Sequence, residues 1–249
     1  MAIPSTPATL RYLRENVRDL LNEFDAADAL ASYYALHHDP QRTALFVHRN
    51  TEGVVDGFLA RCQTGIDLFR PLVTMRVRGG GAIPALLEPG LPPGRPHLLA
   101  LPARLAEQVA AHVMFTEISH HLILRLDPAR FQPIINVLVM QSRDSTGSPR
   151  AIIRRGEQTV AAAGVNWRSP VFAEVYVQVE AAFWSRGYGR SVLSAVVEEL
   201  LKHQVMPIYA AERTNEASLK LAQDVGFIDT GAREVMAQGV RVLEPSEVP

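Results

Sequence analysis

The chain has 249 residues, of which 47% are hydrophobic and 20% charged, and its net charge is −1 at pH 7. This length and composition predict one or two globular domains with a sizeable core. The near-neutral charge argues against a nucleic-acid partner, whose binding relies on neutralising backbone phosphates. Cys62 is the single cysteine, which excludes an intrachain disulfide or a thiolate metal site and fits a reducing cytoplasm. Nothing in the sequence is typical of a signal peptide or a bilayer-spanning helix, so we expect no membrane association.

The N-terminal half contains helix patterns followed by strand patterns. Residues 5–7 form a helix-start signal, and apolar residues at helical spacing extend that helix to Phe24. A second helix begins at Asp25 and ends before Pro40. Short apolar or alternating runs then predict strands at residues 43–48, 54–61, 71–77 and 97–101, and helices at residues 83–87 and 103–113.

The C-terminal half repeats much of this order. It predicts strands at residues 151–155, 159–165, 172–179 and 208–211, a helix after Gly189, a helix that begins at Asn215 and ends at Gly226, and a strand that starts at Phe227. A strand at residues 121–126 is expected to close the first copy. Residues 141–149 are predicted as a loop, and residues 166–168 as the turn of a hairpin. The repetition predicts a tandem duplication, in which residues 78–81 stand where residues 186–189 stand in the second copy. An unrelated N-terminal α/β domain is the alternative, and either way we expect domains at residues 1–125 and 126–249.

The stretch from residue 172 to 191 combines a strand, a glycine turn and a helix. Valines and aromatic residues alternate in its first half, Gly187 and Gly189 then flank one residue, and an apolar helical face follows. Such a turn presents free backbone N–H groups at the positive end of a helix dipole. Arg186 and Arg190 add donors suited to phosphate. We interpret the stretch as a pyrophosphate cradle. A tight packing turn is the alternative, and neither P-loop nor Rossmann spacing is present.

A second motif runs from Asn215 to Phe227 and has the form N-x-x-[AS]-x-x-L-x-x-x-x-G-F. Together with an R/Q-x-x-G-x-G/A-like motif at the glycine turn, it resembles the GNAT superfamily of acyl-CoA-dependent N-acyltransferases, over about residues 126–240. The resemblance implies a GNAT-like α/β fold with a mixed sheet, in two tandem GNAT-like domains of which the first is degenerate. It also implies transfer of an acyl group, in the first place acetyl, from acetyl-CoA or another acyl-CoA to an amine acceptor, without a metal.

The resemblance further implies the cofactor-binding residues. Backbone groups of Val177 and Val179 would pair with the pantetheine arm, and Asn215 would contact it unless it serves only as a helix cap. Trp184 stands where the motif has Arg or Gln. The other residues of the cradle are Arg186, Gly187, Tyr188, Gly189, Arg190 and Ser191. The first copy lacks the motif asparagine and has prolines in the matching connection, so we expect it to have lost cofactor binding.

Acyl transfer to an amine needs a base, because an alkylamine with a pKa of about 10.4 is protonated at neutral pH. Glu174 is the candidate, since a strand with the sequence F-A-E carries the base in the family's histone-modifying branch. A solvated strand glutamate is the alternative interpretation, and Glu180 is the substitute base. Ala222 replaces the family's tyrosine general acid, so either the thiolate leaves unaided or Tyr176 or Tyr209 donates the proton.

A non-catalytic module that binds acyl-CoA, such as a sensor or a pseudoenzyme, is the competing hypothesis. Ala222 favours this hypothesis and Glu174 opposes it. The N-terminal half is a candidate for homodimer formation or for delivery of the acceptor. His120 and His121 lack metal-ligand spacing. The sequence leaves the amine acceptor and the acyl chain length open, because variable loops build the acceptor pocket in this fold.

Overall fold

A computed structural model describes residues 7–65, 67, 69–134, 136 and 138–241 of the chain. The chain divides into two compact units. Unit 1 contains the residues up to His121 and those from Arg233 onward, and unit 2 contains Leu122–Ala232. The sequence-based division after residue 125 placed the last segment in the second domain, whereas the structure groups the residues from Arg233 onward with unit 1.

Unit 1 starts with helices and continues with a three-stranded meander. Its elements are α1 (Pro7–Val17), a 3₁₀ turn (Arg18–Leu20), α2 (Ala29–Ser32) with a π-helical extension (Tyr33–His37), a second 3₁₀ turn (Pro40–Arg42), β1 (Thr43–Arg49), β2 (Val55–Cys62), β3 (Leu72–Val77), α3 (Ala82–Gly90), β4 (Pro96–Pro102), α4 (Ala103–Val109) and β5 (Val113–Leu126). The antiparallel pairs β1–β2 and β2–β3 form the meander. Residues 5 and 6 of the predicted helix start lie outside the described residues.

In unit 1, β3 and β4 are parallel and pair at only two positions, Leu72 with Leu98 and Val73 with Leu99. The apolar faces of α3 and α4 pack on these strands, and the core includes Met75, Leu86 and Val109. This order of strand, glycine turn, helix, strand and helix is the one predicted for a first copy.

Unit 2 begins with the end of β5 and contains a sheet whose strands follow the order β5, β10, β9, β8, β7, β6. Its further elements are β6 (Val139–Arg143), β7 (Pro149–Arg155), β8 (Gln158–Arg168), β9 (Phe172–Val179), a 3₁₀ turn (Ala181–Phe183), α5 (Tyr188–Lys202), β10 (Met206–Glu212), α6 (Glu216–Val225) and β11 (Phe227–Arg241). Strands β6 to β9 are antiparallel, and β9 is parallel to β10.

Helix α5 forms the centre of the unit 2 core because its apolar residues recur at helical spacing. Val192, Val196 and Leu200 are fully buried against the inner face of the sheet. Gly226 ends α6 in the left-handed conformation, and Phe227 then begins β11, as predicted.

Strand β11 contributes to both units. Its residues 227–232 belong to unit 2, and its residues from 233 belong to unit 1. In unit 1, Glu234–Val240 pairs antiparallel with Pro96–Pro102 of β4. The prediction that a strand near residues 121–126 closes the first copy is therefore incomplete, since the neighbour of β4 is β11.

Several sequence-based boundaries are wrong. The helix predicted at residues 103–113 ends at Val109, and the strand predicted at residues 121–126 begins at Val113. Part of the predicted loop at 141–149 belongs to β6, and the predicted turn at 166–168 belongs to β8, with the real turn at residues 169–171. Helix α1 ends at Val17, well before Phe24, which is largely exposed. Among the described residues, we find no helix with the length and apolar character needed to cross a bilayer.

Candidate active site

Two parallel strands of unit 2 start side by side and then separate. Phe172–Glu174 of β9 pairs with Met206–Ile208 of β10, and the described parts of these strands form no pair beyond that point. The gap opens into a cavity of about 620 Å³, which we call the β9–β10 hollow. It is lined by the end of β9, the segment before α5, β10 and one face of α6: Val177, Gln178, Val179, Phe183, Trp184, Ser185, Gly187, Tyr188, Gly189, Arg190, Tyr209, Asn215, Ala217, Ser218, Lys220, Leu221 and Asp224.

The end of β9 has no strand partner on the side that faces this hollow. The N–H of Glu180 donates to the carbonyl of Val160 on β8 at 3.0 Å. Because successive residues of an antiparallel strand point their N–H and C=O groups to opposite sides, those of Val177 and Val179 point away from β8. They therefore face the gap in which β10 no longer provides a partner.

The N-terminus of α5 also lacks local acceptors. Gly187 is the N-cap, with φ of 75°, and it offers no side chain to the first turn. The first backbone bond at this end runs from Ser191 N–H to the Gly187 carbonyl at 3.1 Å. None of the described residues accepts from the N–H groups of Tyr188, Gly189 or Arg190. Such free amides at the positive end of a helix dipole form an anion-binding geometry.

Two residues set the spacing around this turn. A Cβ on Gly189 would lie 2.5 Å from Leu221 Cδ1, so glycine lets α5 and α6 approach each other beside the hollow. Ser191 is buried, and its hydroxyl donates to the Gly187 carbonyl at 3.1 Å and accepts from Asn136 Nδ2 at 2.9 Å. Ser191 thus stabilises the turn through these two hydrogen bonds and does not line the hollow.

The side chains around the turn have different roles. Trp184 is 65% exposed, and its Nε1 donates to the Val179 carbonyl at 2.9 Å, the group predicted to pair with pantetheine. Arg186 stacks over the Phe183 ring at 5.2 Å and does not line the hollow. Tyr188 points inward, and its hydroxyl accepts from Arg155 Nε at 3.2 Å. Arg190 remains exposed at the rim of the hollow.

Two further residues that the sequence predicted for the site, Asn215 and Tyr209, line the opposite wall of the hollow. Asn215 caps α6, since its Oδ1 accepts from Ser218 N–H at 3.0 Å. Tyr209 is buried, and its hydroxyl shares a 2.9 Å hydrogen bond with Ser218 Oγ. Burial raises the pKa of Tyr209, and the bond to Ser218 partly opposes this shift. Ala222 is fully buried in α6, so the position of the family's general acid offers no polar group.

Glu174 lies at the last paired position before β9 and β10 separate, opposite Ile208. Its Oε1 accepts from Asn166 Nδ2 at 2.6 Å, and its Oε2 accepts from Trp167 Nε1 at 2.9 Å. Burial raises the pKa of this carboxyl group, while the two hydrogen bonds act in the opposite direction. Glu174 is outside the lining of the hollow, at the end where the strands diverge.

A sequence profile of the acetyltransferase (GNAT) family matches residues 94–227, which is more than half of the chain. The chain belongs to the GNAT acetyltransferase family. No curated protein sequence matches it significantly.

Solved structures support the GNAT fold over almost the whole chain. A tandem GNAT protein from the clavulanic acid biosynthesis pathway superposes with a TM-score of 0.58 at 15% identity, covering 98% of each chain. A GCN5-related N-acetyltransferase from Kribbella flavida gives 0.60 at 12% identity, covering 90% of this chain and 97% of its own. A Drosophila protein gives 0.66 at 13% identity, covering 94% and 97%. At these identities the likeness shows the fold, and it confirms the predicted tandem GNAT-like architecture.

The family motifs lie around the β9–β10 hollow, but several contacts had no sequence signal. Asn136 behind Ser191, and Asn166 and Trp167 beside Glu174, come from segments outside the motifs. The described part of the chain contains no group of three or more His, Cys, Asp or Glu residues suited to a metal.

Unit 1 has a smaller cavity at the corresponding glycine turn. Its volume is about 280 Å³, and its lining includes Arg76, Arg78 and Arg104. Arg76 is already engaged, since its Nε donates to Asp28 at 2.8 Å. The loss of cofactor binding in this copy stays a prediction.

Proposed function

We propose that this protein is an acyl-CoA-dependent N-acyltransferase that transfers an acyl group, in the first place acetyl, directly to an amine acceptor. The observation that carries the proposal is the end of β9, which has no strand partner on the side that faces the hollow, next to the uncapped N-terminus of α5. A strand edge and a helix N-terminus meet there, and together they suit an extended arm that ends in a diphosphate.

The residues of the hollow fit acyl-CoA, which supplies an activated thioester when bound. Val177 and Val179 would hold the arm through their N–H and C=O groups, whatever their side chains, and the Trp184 indole would have to release the Val179 carbonyl. The free amides of residues 188–190 would bind the diphosphate, with Arg190 and Lys220 as cationic neighbours in the lining. A main-chain N–H fixed beside a developing oxyanion contributes about 3 kcal/mol to transition-state stabilisation.

Glu174 would act as the base. The acceptor must lose a proton before its nitrogen can attack, and a carboxylate at the point where the strands diverge is suited to accept it. The raised pKa of Glu174 makes it a stronger base than an exposed glutamate. Its two hydrogen bonds occupy only part of its accepting capacity, because a carboxylate has about four lone-pair sites.

A direct transfer fits the rest of the chain better than a covalent enzyme intermediate. The thiol of Cys62 is buried, and burial raises its pKa to about 12, so it is not a nucleophile at neutral pH. Tyr188 and Tyr209 both line the hollow, but the Tyr188 hydroxyl already accepts from Arg155 Nε, so Tyr209 is the candidate proton donor. The raised pKa of Tyr209 keeps it protonated, as a proton donor must be. A thiol with a pKa of about 8.5 can also leave as thiolate without such a donor.

The competing proposal, a module that binds acyl-CoA without catalysis, is favoured by the burial of Ala222 at the general-acid position. Titration calorimetry with acetyl-CoA, followed by steady-state thiol release with a panel of primary amines, separates the two. We expect binding, and release above the hydrolytic background with at least one amine class. Tight binding without release from any amine supports the module instead, and absence of binding contradicts both.

A further inference from the structure

Strand β8 contains a β-bulge directly opposite Glu174. Val165 pairs with Val175, and the next pair joins Trp167 to Glu174, so Asn166 is an extra residue in the ladder. Two residues of β8 therefore oppose a single residue of β9. Bulges of this kind change the direction of side chains and are common beside functional sites.

The bulge lets two consecutive side chains reach the same carboxylate. In a regular strand Asn166 and Trp167 would point to opposite faces of the sheet. Here Asn166 Nδ2 lies 2.6 Å from Glu174 Oε1, and Trp167 Nε1 lies 2.9 Å from Oε2. Each carboxylate oxygen thus accepts from a different residue, which fixes the rotation of the carboxylate about its last bond.

The ionisation of Glu174 depends on these two neutral donors. Burial favours the protonated form, and the bonds from Asn166 and Trp167 favour the ionised form. The other titratable groups of the three paired strands are Arg168 on β8, Tyr176 on β9, and Tyr209 and Glu212 on β10. None of these groups contributes to the pKa shift of Glu174.

We propose that Asn166 and Trp167 are positioning residues, which orient the Glu174 carboxylate and keep it ionised so that it can accept a proton from the acceptor amine. The inference rests on the proposed function. In this step an N–H bond of the acceptor ammonium breaks and an O–H bond forms on the carboxylate. The electron pair stays on the nitrogen, which becomes nucleophilic, and Asn166 and Trp167 touch neither reactant.

The tryptophan indoles provide a readout that does not depend on turnover. The chain has two tryptophans, so ¹⁵N-indole NMR gives two resonances. The indole N–H of Trp167 donates to a carboxylate, whereas that of Trp184 donates to a backbone carbonyl. We expect the Trp167 resonance to titrate with the ionisation of Glu174 and to lose this titration in Glu174→Gln. The Trp184 resonance is the internal control.

Asn166→Ala removes one donor at an exposed position, where folding is least affected. We expect the midpoint of the Trp167 titration and the acid limb of the kcat/KM profile to move together to higher pH. The expected shift is about one pH unit, which is the scale for losing one hydrogen bond to a charged group. Trp167→Phe keeps an aromatic ring at this buried position without the N–H donor, and it should move the acid limb in the same direction. In the Glu174→Gln background, neither substitution should shift the profile further.

Each contrary outcome has a distinct meaning. The positioning role is contradicted if the Trp167 indole resonance does not shift with pH. It is also contradicted if Asn166→Ala leaves the midpoint of that titration unchanged. A midpoint that moves while the pH profile of kcat/KM stays in place also overturns the inference, because the carboxylate would then be held for structure alone. If the wild-type protein binds acetyl-CoA but releases no thiol, the proposed function fails, and the catalytic part of the inference fails with it, while the NMR result still reports the hydrogen bonds.

Discussion

Gly187→Pro tests whether the turn before α5 binds the diphosphate of acyl-CoA. Gly187 has φ of 75°, whereas proline requires about −65°, so the turn must be rebuilt. The N–H groups of residues 188–190 then lose their common direction. A hydrogen bond to a charged group contributes about 1.5–3 kcal/mol, so the loss of two lowers affinity by about 10²-fold or more. Gly187→Ala is milder, because no atom lies within 4 Å of its Cβ position and the left-handed backbone alone costs about 1–2 kcal/mol of stability.

Titration calorimetry with acetyl-CoA measures this effect, and thermal unfolding measures the stability of each variant. Gly147 is a matched control, since it has φ of 82°, open space around its Cβ position and no place in the lining of the hollow. We expect Gly147→Pro to lower stability and leave the dissociation constant unchanged. An undiminished affinity for acetyl-CoA in folded Gly187→Pro would refute the assignment of this turn.

Four further predictions concern the side chains of Glu174, Trp184 and Cys62. Glu174→Gln should lower turnover by about 10²-fold or more with nearly unchanged acetyl-CoA affinity, and unchanged turnover would exclude it as the base. Because the pKa of Glu174 is raised, wild-type kcat/KM should rise with pH, with a midpoint above the pKa of an ordinary glutamate. The free energy of unfolding should fall over the same pH range, because the folded protein binds the proton more tightly than the unfolded chain does. A kcat/KM profile whose acid limb lies at the pKa of an ordinary glutamate contradicts the prediction. Trp184→Phe removes the donor that occupies the Val179 carbonyl, so calorimetry should show about 2- to 10-fold tighter acetyl-CoA binding, whereas weaker binding would identify the indole as a direct contact. Cys62 should resist a disulfide-forming thiol reagent in the native protein and react once it is unfolded, since its pKa is raised to about 12, and rapid native reaction would contradict its burial.

The sequence predicts those parts of the fold whose signals are local. Strand β9 has its predicted bounds, 172–179, because its alternation is regular and a glycine turn follows. Helix α6 lies between its predicted cap, Asn215, and its predicted stop, Gly226. Helix α1 ends early because side chains compete with the helical backbone: Asn22 accepts from Phe24 N–H, and Asp25 accepts from Ala27 N–H.

The features that escaped prediction depend on pairing between distant segments. The turn predicted at residues 166–168 is part of β8 because the bulge breaks the alternation that marks a strand. Because the bulge was not predicted, the contacts of Asn166 and Trp167 with Glu174 were not predicted either. The predicted role of Glu174 came from its position in β9, whereas its hydrogen-bond partners are set by the register of β8.

The pairing of β4 with residues 234–240 has a consequence for synthesis of the protein. Strand β4 leaves the ribosome early, yet its partner in β11 is translated only after all of unit 2. Until then β4 presents an open hydrogen-bonding edge, the kind of surface on which nascent chains aggregate or recruit chaperones. The half of the protein that is made first is thus the last to be completed.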